Sequence, residues 1–157
     1  MRILVVSDTH RDINALRSSI LHQPEAGTVI HLGDGAEEAA QMRAEFPQKQ
    51  FLQVRGNCDW NSALPAEGLE NVGGKKIFYT HGHIYNVKYG TGSIVSAARA
   101  AKADILLFGH THNPVNRYEN GLYIMNPGSL HGSAGTYGII DITEAGIVTN
   151  VLKVQPV

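Results

Sequence analysis

One cysteine, Cys58, in a chain of 157 residues excludes an internal disulfide framework. Charge is sparse: Asp, Glu, Lys and Arg make up 17%, where about 25% is usual. Neither sign dominates, with 13 basic against 14 acidic residues and a net charge of -1. A surface that binds nucleic acid or anionic lipid through bulk charge is therefore not expected. No apolar run exceeds about five residues, far short of the roughly 18 that span a bilayer. The opening MRILVVSDTH lacks the apolar length and small-residue cleavage site of a secretory signal. A cytoplasmic protein without membrane attachment is expected. No Gly-x-x-x-x-Gly-Lys-Ser/Thr segment occurs, which argues against a P-loop nucleotidase. What the chain does have is glycine, 17 residues against a usual ~7%, and eight histidines. The length suits one domain spanning 1–157, with a core large enough to need no covalent staples.

The apolar pattern predicts alternating elements. Strands are expected at Ile3–Val6, Thr28–Leu32 and Phe51–Val54, and helices at Asp12–His22 and Glu37–Phe46. Asp12 suits the first helix cap, and Pro47 stops the second helix. Gly68–Val72 and Lys75–Thr80 form a predicted hairpin across Gly73-Gly74. A small-residue helix follows at Ile94–Lys102, with Ser93 as its expected cap and Gly90-Thr91-Gly92 at its start. A strand is predicted at Asp104–Phe108. The last third reads as β structure: Val115–Tyr118, Leu122–Met125, Tyr137–Ile142 and Ile147–Val154. This order predicts an α/β (α+β) arrangement, two packed sheets with helices outside.

The polar residues have an unusual placement. Five predicted strands end in Ser7-Asp8-Thr9-His10, Gly33-Asp34-Gly35, Arg55-Gly56-Asn57-Cys58-Asp59, His81-Gly82-His83 and Gly109-His110-Thr111-His112. Ligands of open α/β sheets bind beyond the carboxyl ends of strands. If these strands lie side by side, Asp8, His10, Asp34, Asn57, His81, His110 and His112 converge on one rim. Singly, each has an ordinary reading: Asp8 as a cap, His10 as a surface residue, Asp34 and Asn57 as turn formers. Five coincident strand ends make the joint reading as a site the better one.

Seven donors exceed the four of a tetrahedral zinc. They fit two ions sharing a bridge, and the carboxylate of Asp34 has two oxygens with which to bridge. Imidazole, carboxylate and amide oxygen suit manganese, iron, nickel, cobalt or zinc and do not choose among them; manganese is taken as the first expectation. Two divalent ions outweigh the charge of two carboxylates and one hydroxide, and the positive surplus attracts an anion. A pair of ions about 3.5–4 Å apart generates hydroxide near neutral pH and stabilises both attacking and leaving oxygens. The expected chemistry is phosphate-ester hydrolysis with the metal-bridging hydroxide as nucleophile and no side-chain nucleophile.

These blocks, in this order, resemble the calcineurin-like metallophosphoesterase superfamily: Asp-x-His, Gly-Asp, Gly-Asn-His-Asp/Glu, a lone His and Gly-His-x-His. Asn126-Pro127-Gly128-Ser129 resembles a loop of its small bacterial and archaeal phosphodiesterase branch. The resemblance implies a four-layer αββα sandwich of two mixed β-sheets flanked by helices. It implies one metal on Asp8, His10 and His112, the other on Asn57, His81 and His110, and Asp34 shared. Cys58 stands where most of the superfamily has a His that sits by the phosphate, and the small branch shares this Gly-Asn-Cys-Asp form. A thiol, with pKa near 8.5, is a different proton donor. Preference for small phosphodiesters over unactivated monoesters is expected, with Asn57, Cys58 and His83 near the substrate.

The remaining histidines have plainer expected roles: His22 at a helix C-terminus, His31 as a packed strand residue, and His131 as a pocket-lining candidate. Trp60 is expected to pack rather than to stack a base. A homo-oligomer is compatible with the sequence. Two rival readings are a partner-binding scaffold, like the retromer subunit with a phosphoesterase-like fold, and a metallo-β-lactamase-like hydrolase. The second needs His-x-His-x-Asp-His, whereas Asn113-Pro114 follows His112.

Overall fold

A computed structural model describes residues 1–156. The first five strand and helix elements alternate: β1 (Arg2–Val6), α1 (Ile13–His22), β2 (Ala26–His31), α2 (Ala36–Glu45) and β3 (Gln50–Gln53). β4 (Glu67–Val72) and β5 (Lys75–Thr80) form the hairpin across Gly73-Gly74, and two 3₁₀ turns follow at His83–Tyr85 and Val87–Tyr89. Then come α3 (Gly92–Ala100), β6 (Ile105–Leu107), β7 (Val115–Glu119), β8 (Leu122–Asn126), β9 (Thr136–Thr143) and β10 (Gly146–Lys153).

The strands divide into two mixed sheets of five, ordered β10-β9-β1-β2-β3 and β4-β5-β6-β8-β7. In each, the three parallel strands carry the polar strand ends or brace them, and antiparallel strands complete the edges. The period-2 alternation of strand side chains sorts the core into layers. Ile3 and Val5 of β1 face Ile77, Ile105, Leu107 and Met125 between the sheets. Leu4 and Val6 point the other way, onto Leu16 and Ile20 of α1 and Met42 of α2. On the far side Phe78, Leu106 and Ile124 meet Ile94 and Ala98 of α3. The expected αββα sandwich is thus present. Among the described residues no helix is long and apolar enough to cross a membrane.

Two local expectations change. Ser93 does not cap α3: Thr91 occupies that position, makes no side-chain cap bond, and Ser93 lies inside the first turn. The five polar strand ends do not form the rim of one sheet. β1, β2 and β3 belong to one sheet and β5 and β6 to the other, and their carboxyl ends meet across the sandwich. The amide of Gly109 donates to the His81 carbonyl at 2.9 Å within the second sheet's rim, while Asp8 donates to Gly33 at 2.9 Å within the first. Asp12 caps α1 as expected, accepting from the Ala15 amide at 3.0 Å.

Candidate metal centre

The loops after β1, β2, β3, β5 and β6 bring the seven residues together. Asp8 Oδ1 lies 3.2 Å from His112 Nε2 and 3.6 Å from His10 Nε2. The two imidazole nitrogens are 3.3 Å apart. Around His81 Nε2 sit Asn57 Oδ1 at 2.9 Å and His110 Nδ1 at 3.1 Å. Asp34 Oδ2 stands between these two groups, 3.3 Å from His81 Nε2 and 3.9 Å from His10 Nε2. Asp8 Oδ1 is a second link, 3.8 Å from His81 Nε2.

These atoms share one polarity. The Leu32 carbonyl, 2.8 Å from His81 Nδ1, can only accept, so Nδ1 carries a proton and Nε2 is turned toward Asn57 and Asp34, where it offers a lone pair to a cation or, with no cation there, a second proton to Asp34. Asp8 is fully buried, and its Oδ1 has no hydrogen-bond partner among the described residues. A buried carboxylate oxygen without a donor costs about 1–3 kcal/mol or more. Its twin, Oδ2, is satisfied by Ser7 Oγ at 2.6 Å and the His110 amide at 3.1 Å. An orphaned anionic oxygen ringed by imidazole nitrogens fits a bound cation, and the three atoms of Asp8, His10 and His112 lie within 4.8 Å of one another, as do those of Asp8, Asp34 and His81.

Electrostatics carry the same signature. Burial opposes the charge on Asp34, but the hydrogen bond and charge of His81, the Cys58 amide and His10 outweigh it and hold the carboxyl well below its usual range. Burial also opposes charge on His81, but Asp34 and Asp8 raise it overall. His110 is pushed down by burial, then by His81 and Lys88.

The backbone is bent to make this possible. Asp8, His10, Asp34, His110 and His112 all have positive φ, from 44° to 70°. Such conformations are sparsely populated for residues with a Cβ, cost on the order of 1–3 kcal/mol each, and collect at functional sites. Glycine is needed where loops touch. A Cβ on Gly56 would lie 2.1 Å from Asp34 Oδ1, and one on Gly109 2.1 Å from Ser7 Oγ.

Asp59, to which the sequence pattern assigned no role, locks two of the loops. Its Oδ2 accepts from the amides of Asp34 (2.8 Å) and Gly56 (2.7 Å), and its Oδ1 from Gly35 and Ala36 (both 3.0 Å). It thereby caps α2, whose own N-cap, Gly35, has no side chain to do so. Buried Asn126 does the same for the fifth loop, donating to the Gly109 carbonyl (3.2 Å) and Thr111 Oγ1 (2.9 Å) and accepting from Gly128 (2.9 Å). Ser129 Oγ donates to the Asp8 carbonyl at 2.9 Å. The signal for both lay in the recurring Gly-Asn-Cys-Asp and Asn-Pro-Gly-Ser blocks.

Family membership follows from this arrangement together with the sequence. Residues 1–145 match the calcineurin-like phosphoesterase superfamily domain. The chain belongs to that superfamily. Its similarity to the probable metallophosphoesterase YsnB of Bacillus subtilis is 31% identity over 131 residues, covering 83% of this chain and 75% of that protein. A phosphodiesterase of Methanocaldococcus jannaschii is 26% identical over 160 residues, with 90% and 93% covered. The zinc complex of Vps29 from Entamoeba histolytica has the same fold, with a TM-score of 0.75 at 20% identity over 99% of this chain and 100% of that one. The phosphoesterase fold is metal-dependent across the family, and the seven donors are this chain's candidates.

The other expected residues sort clearly. Cys58 is exposed and lines a groove beside His10 and Asp34; its thiol is raised by burial and by Asp34. His83 stays outside the cluster, its ring 5.4 Å from that of His81, with Nδ1 buried and unpartnered among the described residues. His131 is exposed, 6.5 Å from the His10 ring, and lines a second groove. His31 is a packed strand residue, as expected: it contacts Thr9 Oγ1 at 2.5 Å, accepts from Gly33 at 3.1 Å, and burial pushes it down to about 4. His22 ends α1, its Nδ1 2.9 Å from the Ser18 carbonyl. Trp60 contradicts its expected packing role: it is 83% exposed. Its loop faces outward because neighbouring Asp59 is turned in to collect four amides.

Replacing Asp59 with Ala leaves those four amides without their acceptor. Urea unfolding is expected to show a loss of at least about 1–3 kcal/mol, with Asp59→Asn recovering part of it; an Ala variant as stable as the parent would refute the locking role.

Proposed function

We propose that this chain, read as one domain over 1–157, is a metal-dependent phosphodiesterase that hydrolyses small phosphodiesters at a two-cation centre. The observation that carries this reading is the buried Oδ1 of Asp8, without a hydrogen-bond partner among the described residues and facing His10 and His112. Asp8, His10 and His112 would hold one cation; Asn57, His81 and His110 the other; Asp34 would serve both. The nitrogen and oxygen donors suit manganese, nickel, iron, cobalt or zinc without choosing among them, and manganese is the first candidate to test. Bound there, the pair would supply hydroxide near neutral pH and charge stabilisation for the attacking and leaving oxygens.

The chain's own residues do the positioning. Leu32 orients the His81 ring through Nδ1, and Ser7 with the His110 amide turns Asp8 so that Oδ1 faces the cluster. In the overall reaction a water oxygen bonds to phosphorus, one P–O ester bond breaks, and the departing oxygen takes up a proton, giving an alcohol and a monoester. Cys58 bears on that last step. Burial and Asp34 raise the pKa of its thiol, and a thiol is a weak hydrogen-bond partner for phosphate oxygens. Substrates with good leaving groups, and diesters over unactivated monoesters, follow. The likeness to Vps29 supports a second reading, a partner-binding scaffold; the complete donor set favours the enzyme.

Chelation is expected to abolish hydrolysis of bis(p-nitrophenyl) phosphate, and re-addition of a single divalent metal to restore it. Chelator-insensitive turnover, or none with any metal, would favour the scaffold. His112→Ala should lose one of two ions by metal analysis, together with most turnover, while circular dichroism stays unchanged; two retained ions would remove His112 from the donor set. Cys58→His should shift the monoester-to-diester rate ratio upward by about tenfold or more, against the roughly 10²–10⁴ that a well-placed general acid supplies. An unchanged ratio would take Cys58 out of the substrate's surroundings.

A further inference from the structure

The donor cluster lies where two grooves meet. One, about 740 Å³, is lined by His10, Asp34 and Cys58 and also by Trp60, Arg11 and Arg43. The other, about 600 Å³, includes His10, His112, Pro114 and His131. His10 borders both. A phosphorus atom seated at the cluster therefore has a channel on either side, and a phosphodiester has two ester arms where a monoester has one.

The two grooves differ in chemistry. The first has the chain's only tryptophan on its wall, with its indole 83% exposed. Leaving so large an apolar ring in water forgoes the roughly 25 cal/mol per Å² that covering it would gain. The loop that carries it is anchored on both sides. Its neighbour Asp59 is held by four backbone amides, and Arg55 braces the following turn by donating to the Leu64 carbonyl at 2.8 Å. Arg11 and Arg43 on the same walls stand against four carboxylates, Asp34, Glu37, Glu38 and Asp59, so the groove has no cationic surplus with which to select a polyanion. The second groove has no Asp, Glu, Lys or Arg among its lining residues.

We propose that the first groove is the subsite for a nucleoside arm of the substrate, its base stacked on Trp60, and that the second takes the other, uncharged arm. This rests on the cluster being the phosphoester centre. Stacking needs only a flat π-face, which every base has, and is worth about 1–3 kcal/mol per base. Walls without a cationic surplus suit a single uncharged nucleoside better than a continuing nucleic-acid strand.

Because Trp60 is the sole tryptophan, its fluorescence reads the subsite directly and needs no turnover. Titration with adenosine 5′-monophosphate should quench the emission saturably, with zinc present or absent, and ribose 5-phosphate should not. No quenching, or equal quenching by both, overturns the proposal. In kinetics, the p-nitrophenyl ester of thymidine 5′-phosphate should exceed methyl p-nitrophenyl phosphate in kcat/KM. Trp60→Ala should cut that preference about tenfold, chiefly through KM, and Trp60→Phe should restore most of it. A preference unchanged by Trp60→Ala overturns the assignment. If no diester is turned over with any metal, the phosphodiesterase reading fails, and the fluorescence titration alone decides whether the groove takes a base.

Discussion

Seven polar groups that can each offer a lone pair are pressed together at one spot, and the rest of the structure is arranged to hold them there. Asp8 Oδ1, Asp34 Oδ2, Asn57 Oδ1 and four imidazoles would separate if the chain were free to relax, because atoms of one polarity repel unless a cation lies among them. The loops that carry them are set in left-handed backbone conformations at Asp8, His10, Asp34, His110 and His112. That strain persists only where the surroundings over-determine it.

The surroundings are rigid and contiguous. The two sheets interlock through Ile3, Val5, Ile77 and Ile105, which sets the distance between the two halves of the rim. Asp59 then ties the β2 and β3 loops into one unit and starts α2, while Asn126 and Ser129 tie the loops after β6 and β1 to the carboxyl end of β8. Close backbone approach completes the arrangement: Gly56 leaves room for the Asp34 carboxylate, and Gly109 for Ser7 and Asp8. The candidate donors are thus preorganised by residues outside the cluster itself.

On the proposed reading, chemistry and selectivity separate in space. The cluster would do the chemistry, whereas Cys58, Trp60 and the two grooves surround it and meet the substrate's arms. A thiol in place of an imidazole weakens proton donation to a poor leaving group. An exposed indole beside it gives binding energy to a flat substituent. Both features push toward diesters with an aromatic arm, and neither alters the donors themselves.

Much of this was legible in the residues alone. The strands and helices follow from short apolar runs and from caps such as Asp12. The donor set follows from polar residues recurring just past apolar strands, because a strand's end is a local property of the chain. Ser93 misled because a helix start depends on which backbone turn docks, not on the presence of a hydroxyl. Trp60 misled because an aromatic residue ordinarily gains by burial, and only the inward turn of Asp59 leaves its neighbour outside. What the linear order determined was which atoms are chemically able to meet. Which of them do meet, from two different sheets, with one oxygen of Asp8 satisfied and the other left bare, was decided by the packing of the sandwich, since contacts between residues a hundred positions apart exist only once the core between them has closed.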